Sequence, residues 1–384
     1  MPVYLDHNAT TPLDGRVLDA MLPFLRGQYG NPSSSHQLGR TARTAIETAR
    51  EQIAALVNAT PGQIIFTSGG TEANNLAIKG ALAAFPSGRI AISAIEHASL
   101  RGPAQAMTQQ AYQLDSIAVD AQGSVLLDAV RQSLHTDTRL ISVMLANNET
   151  GAIQDIAGIA ALARQAGAIM HTDAVQALGK IKIDFAASGA HLMSLSAHKI
   201  YGPKGIGALV VDESVSLETL LHGGGHEQGR RAGTENVAAI AGFGAAAELA
   251  RQELEERQAH WGELSPYLEK GLRTFPGAVV FAEKIPRLSN TVLVSLPGFA
   301  GETLLMNLDK AGIMVSSGSA CLSGSLSASP VLRAMGIEPR LLRNVLRISL
   351  GKASTPDELD LLLTTLQTLH KQFAPWEVKT GNGI

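Results

Sequence analysis

AIMHTDAVQALGKIKIDFAASGAHLMSLSAHKIYGPKGIGALVV, residues 168–211, carries three short, largely apolar runs: Ala168–Thr172, Leu192–Ser196 and Gly207–Val211. Short apolar runs bounded by polar or Gly/Pro-rich turns read as strands buried on both faces. Outward from this stretch the pattern recurs at Gln63–Thr67, Arg89–Ala94 and Leu140–Ala146. Apolar residues fall at helical spacing over Arg40–Val57, and Glu72–Phe85 is helix-like. Strands interleaved with helices predict an α/β fold with a mostly parallel central sheet covered on both faces.

After Val237 a helical pattern runs through Arg251–Glu255 to about Leu272, and beyond it the chain changes character. Strands are expected at Thr291–Leu296 and Arg347–Leu350, and helices at Thr303–Lys310 and Pro356–Phe373. The expectation is a large domain over residues 15–258. Residues 1–14 would join 259–384 in a smaller α+β domain.

The 384 residues are 45% hydrophobic and 17% charged, as in an ordinary globular enzyme. A net charge of −3 gives no reason to expect a nucleic-acid or anionic-membrane partner. No apolar run is long enough to span a bilayer, and the N-terminus lacks a secretory pattern. A cytoplasmic protein is expected. A single cysteine, Cys321, excludes an intrachain disulfide and a multi-cysteine metal site. The histidines lack His-Glu-x-x-His spacing, so no metal is expected.

Three constellations carry chemistry. Phe66-Thr67-Ser68-Gly69-Gly70-Thr71-Glu72 reads as strand, glycine turn and helix start, where free backbone N–H groups can hold an anion. The competing reading is a plain tight turn with Thr71 as helix cap. His171-Thr172-Asp173-Ala174-Val175-Gln176 sets a carboxylate at a strand's C-terminal end, where α/β proteins bind ligands. It could equally cap the next helix. In Ser194–Gly205, Lys199 directly follows an apolar strand, whereas Lys204 in Pro-Lys-Gly resembles an exposed loop charge. A desolvated lysine can lose its proton and condense with an aldehyde. Anion cradle, carboxylate and amine, each following a strand, are together what pyridoxal 5′-phosphate requires.

With YLDHNATTP, SGGTEANN, NNETG, HTDAVQ, SAHKIYGPKG, GGGHEQGRRAGTEN and SSGSAC in order, the chain resembles the cysteine desulfurases. More narrowly, it resembles the NifS/IscS-like branch of the class V aminotransferase family, of PLP-dependent fold type I. The resemblance runs from residue 4 to about residue 351. It implies that Lys199 carries the cofactor, Asp173 faces the ring nitrogen, and Gln176 and Asn148 reach the phenolic oxygen. His97 would stack on the ring and, as a catalytic residue, help move protons. Gly70, Thr71, Ser196 and His198 would hold the phosphate, and Thr234 would reach the phosphate in the neighbouring subunit of a homodimer. Arg347 would grip the substrate carboxylate, and Asn31 lies in a family segment near that site.

The implied reaction converts L-cysteine to L-alanine, with sulfur passing to Cys321 as a persulfide. From there it would reach an acceptor such as an iron–sulfur scaffold. Cys321 sits in a Gly/Ser-rich loop, Ser316–Ser325, with little to pack against. Two departures stand out: His7 where the family often has Asn, and Leu322 where Thr is common after the cysteine. A selenocysteine lyase, or another class V enzyme such as an aminotransferase, would share Lys199 and Asp173. Transamination has no use for the thiol.

Overall fold

The structure, a computed structural model, describes residues 2–299, 301–317 and 329–380, and of 302 and 373–380 the backbone alone. Its strands are β1 (Val3–Tyr4), β2 (Ile64–Thr67), β3 (Gly88–Ser93), β4 (Tyr112–Ile117), β5 (Thr138–Ser142) and β6 (Ile169–Asp173). They continue with β7 (Leu192–Ser196), β8 (Gly207–Val211), β9 (Val279–Val280), β10 (Thr291–Ser295), β11 (Ile313–Met314) and β12 (Val345–Ser349).

Seven strands form the central sheet in the order β2-β8-β7-β6-β5-β3-β4. From β7 to β4 every pairing is parallel, and β8 runs antiparallel to both its neighbours. Side-chain alternation explains why these runs read as continuously apolar. Ile64, Phe66, Ala208 and Val210 enter one core with helices Gln37–Val57, Ile156–Gln165 and Val237–Gln252. Ile65, Leu209 and Val211 enter the opposite core with Leu76, Ile78 and helix Ala98–Met107. Both faces are covered, as expected of an α/β sheet.

The rest of the chain builds around β10, which pairs antiparallel with β12 and β9. The N-terminus returns to it: β1 pairs in parallel with β11, and Asp6 bridges to Ser349. Val3, Leu5, Trp261, Leu268, Leu346, Leu362 and Leu366 share a separate core. A smaller apolar cluster, including Ile95, Met144, Leu293 and Val345, lies between the two regions.

The sequence expectations need four corrections. The strand β4, YQLDSI, was not foreseen, because it lies at the sheet edge and exposes polar side chains. The helix expected at Glu72–Phe85 begins at Gly70 and widens after Asn75 into a π turn, Leu76–Gly80. The pattern from Val237 to Leu272 breaks at Glu253 into two helices. There the Glu253 carboxylate turns to Arg16, Arg257 and Lys352, and those charges hold the break. The last helix runs past Phe373 to Thr380. No described helix is long and apolar enough to cross a membrane.

Candidate active site

The ends of β2, β6 and β7 converge. Gly69 follows β2 with φ 152°, a conformation that side chains disfavour, and the helix starts at Gly70. A Cβ on Gly70 would lie 3.0 Å from Val175 Cγ2 and 3.7 Å from Ser196 Cβ. A Cβ on Gly207 would come within 2.7 Å of the Gly69 carbonyl carbon. The glycine turn is therefore pressed against the residues after β6 and at the end of β7. Thr71 is exposed and lies inside the helix, so it is not the cap.

Asp173, at the end of β6, is buried. Its Oδ2 accepts a hydrogen bond from Asn74 Nδ2 at 2.8 Å and its Oδ1 one from the Val175 amide at 3.0 Å. No cation lies within ion-pair distance of it among the described residues. A carboxylate so placed is costly unless something positive faces it. Asn74 also donates to Ser99 Oγ at 2.9 Å, and Ser99 bonds His97 Nδ1 through both its hydroxyl and its amide. His97 caps helix Ala98–Met107. Burial, reinforced by Lys199, pushes its pKa down against the opposing pull of Asp173, which favours a neutral imidazole.

Lys199 closes a single 3₁₀ turn after β7, whereas Lys204 is exposed in the loop beyond. The Lys199 Nζ donates to the carbonyls of Asn8 at 2.5 Å and Ala9 at 2.7 Å. Gln176 Nε2 donates to the same Asn8 carbonyl at 2.9 Å, which brings Gln176 beside the amine. Asn8 Nδ2 reaches the Asn148 carbonyl at 3.3 Å, so Asn148 borders the same space. His198 contacts Thr10 through Nδ1 at 3.1 Å, and its pKa is lowered to about 4 by burial and by the neighbouring lysines.

Arg347, on β12, is almost fully buried. Its Nη2 pairs with Asp6 at 2.7 Å and its Nη1 donates to the Asn148 carbonyl at 3.1 Å. Its Nε has no hydrogen-bond partner among the described residues. Arg347 and Ser316 exchange backbone hydrogen bonds, which ties Ser316 to β12. Ser329, where description resumes, donates to Glu149 Oε2 at 2.5 Å. Cys321 and Leu322 lie outside the described residues.

Two expected residues are not brought to this cluster within one chain. Asn31 caps its own turn by accepting from the Ser33 amide. Thr234 is exposed, although its neighbour Arg231 pairs with Glu72 in the helix after the glycine turn. His7 is buried against Tyr4, its pKa lowered to about 4 by burial, and Gly351 closes over its ring.

Sequence reasoning missed Asn8, Asn74 and Lys180. Asn8 is the hub that accepts from Lys199, Gln176 and Lys180. Single polar residues at these positions carry no periodic signal, so only the tertiary contacts reveal them. Two buried acids were missed as well: burial raises Glu96 to about 8 and Glu149 to about 7. Among the described residues no group of acids, histidines and cysteines is placed to hold a metal.

The residues present fit a phosphorylated pyridine aldehyde. The buried, cation-free carboxylate of Asp173 suits a protonated ring nitrogen, the Lys199 amine suits the aldehyde, and the glycine turn suits a phosphate. A family model described as Aminotransferase class-V matches residues 3–362. A relative from Trichormus variabilis named Cysteine desulfurase 2 is 46% identical over 363 residues, covering 94% of this chain and 91% of its own. A solved structure of a NifS-like protein superposes with a TM-score of 0.91 at 36% identity, over 97% of this chain and 100% of that one. Another, described as SspA in complex with cysteine, gives a TM-score of 0.81 at 32% identity, over 92% of this chain and 100% of that one.

Proposed function

Because the chain belongs to the class-V aminotransferase family, we propose that it is a pyridoxal-phosphate-dependent cysteine desulfurase that converts L-cysteine to L-alanine. The observation that carries this reading is the pairing of two features. One is a buried carboxylate without a cation at the end of β6; the other is the Lys199 amine just after β7, a strand whose Ser196 packs against the glycine turn.

When bound, the cofactor supplies an electron sink for negative charge at the substrate Cα. Asp173 would hold the ring nitrogen protonated. Gln176 and Asn148 would reach the phenolic oxygen, and neutral His97 would stack on the ring. Gly70, Thr71, Ser196 and His198 would hold the phosphate. Arg347 binds the substrate carboxylate in a fork, with Asp6 and the Asn148 carbonyl fixing its plane. Lys199 takes the proton from the substrate Cα. The Cys321 thiolate then attacks the substrate sulfur. A sulfur–sulfur bond forms as the Cβ–S bond breaks, its electron pair stays with the carbon skeleton, and protonation there yields alanine. The backbone pairing of Arg347 with Ser316, which shares the Ser316–Ser325 stretch of sequence with Cys321, supports this reading.

The persulfide then goes to an acceptor protein, such as an iron–sulfur scaffold. Residues 15–258 form the cofactor-binding domain, with 1–14 and 259–384 as the smaller domain. The working unit is a homodimer in the cytoplasm, in which Thr234 reaches the partner's cofactor phosphate and Asn31 lies near the shared site.

The test is alanine and sulfide release from L-cysteine by the cofactor-loaded protein and two variants. Lys199→Ala is expected to lose the yellow colour and all turnover. Cys321→Ala is expected to keep the colour and lose sulfur delivery to a thiol. Full sulfur transfer by Cys321→Ala would remove the cysteine from the mechanism.

A further inference from the structure

Among the described residues near the site, Lys180 holds a buried amine that the proposed reaction leaves without a task. It follows Asp173 and Gln176 along the turn after β6 and is 5% exposed. Its Nζ donates to Gln176 Oε1 and to Asn8 Oδ1, each at 2.8 Å. Among the described residues no carboxylate lies within ion-pair distance of it. Burial, with Lys199 and Arg347 close by, pushes its pKa far down, and the His7 ring on the N-terminal segment also feels it. A buried amine of this kind adds little to stability, because an apolar chain of similar volume would fill the space at less desolvation cost.

What the amine does supply is direction. A glutamine amide has two orientations of similar shape, and its neighbours decide between them. Even as a neutral amine Nζ has two N–H groups, one spent on Gln176 Oε1 and one on Asn8 Oδ1, so the flipped amide would lose its bond to Nζ unless the amine gave up Asn8. The Gln176 N–H groups must then point the other way, toward the Asn8 carbonyl that Lys199 also contacts. Asn8 is fixed in the same manner: its Oδ1 accepts from Lys180 and Asn290, and its Nδ2 donates to Thr291 Oγ1 at 2.9 Å.

We propose that Lys180 is a positioning residue, which locks the Gln176 amide with its N–H toward the phenolic oxygen of the bound cofactor. This rests on the cofactor reading given above. A hydrogen bond donated to that oxygen favours its ionised form. Without Lys180 the amide can turn its own oxygen toward the phenolate, and the ionised form loses support.

The experiment is a spectrophotometric pH titration of the cofactor-loaded protein, with cofactor affinity measured by adding pyridoxal 5′-phosphate to the stripped protein. Lys180→Met removes the donor and nearly conserves volume. Its titration midpoint is expected to rise by about one pH unit, the usual size of a shift from one charged or hydrogen-bonded neighbour. In a Gln176→Ala background the same substitution is expected to move the midpoint little, since the two residues act as a unit. An unmoved midpoint in folded Lys180→Met overturns the inference. So does a full shift that persists without Gln176, because the amine would then act by its field alone. Should Lys180→Met fail to fold, Lys180→Leu, which also removes the donor, is read by the same two criteria. A wild-type protein that gains no visible band with pyridoxal 5′-phosphate, or a Lys199→Ala variant that keeps it, would instead sink the cofactor reading itself.

Discussion

Asp173 asks the sharpest question at the residue scale. Its carboxylate is held by two neutral donors, the Asn74 amide and the Val175 backbone N–H, and by no cation. Asp173→Asn keeps the shape and removes the charge, so the cofactor should still load while its ring nitrogen goes unprotonated. We expect kcat for alanine release to fall on the order of 10²- to 10³-fold, the scale of a lost preorganised electrostatic contact. Cofactor content should stay near one per chain, as absorbance against protein mass would show. Asp173 and Lys199 were legible because each directly follows an apolar strand, where a charged residue is conspicuous. Asn8, Asn74 and Lys180 were not. Their roles come from contacts between segments far apart in the chain, such as Lys180 with Asn8, and no local spacing records those.

At the scale of elements, the exposed edge of β2 has a specific cover. Arg50, from helix Gln37–Val57, donates to the Ile64 carbonyl, and Glu227 accepts from the Phe66 amide. The two side chains pair with each other at 2.9 Å while almost fully buried. Together they satisfy edge groups that would otherwise invite pairing with another strand. Glu227 holds this post at φ 47°, a strained conformation for a residue with a side chain. Glu227→Ala would leave the buried Arg50 with only the exposed Glu47 as an ion-pair partner, at a cost of about 3 kcal/mol. A clear drop in the thermal midpoint is expected, with much of it recovered when Arg50→Met is added. The strand cores were readable from their apolar runs. The polar edge strand β4 and the break at Glu253 were not, because partners outside the local sequence, such as Arg16 and Lys352 at Glu253, decide them.

Across the whole molecule, buried titratable groups set the pH range of stability. Burial holds His171 near pKa 3, between Ser142 and Ser194, and His7 near 4. The unfolded chain therefore binds more protons below pH 6.5, and stability falls as pH drops from there toward 3. Glu96 and Glu149 are raised to about 8 and about 7, so between 4.5 and those values the folded chain binds more protons. Their contribution is full at low pH and is lost as pH rises. The two trends oppose each other between 4.5 and 6.5; from 6.5 to 8 the acids still lower stability as pH rises, against the opposite pull of the depressed Lys180 amine. Glu96→Gln should flatten the decline of the thermal midpoint over that upper window, while an unchanged slope would place Glu96 elsewhere. The most direct test of the whole account follows the sulfur atom itself. Cofactor-loaded protein is given L-cysteine without an acceptor and digested, and the peptides are weighed. The account predicts one added sulfur on the peptide holding Cys321 and one alanine released for each such peptide. Alanine formed with no sulfur on that peptide, or cysteine consumed with transfer of its amino group, would contradict it.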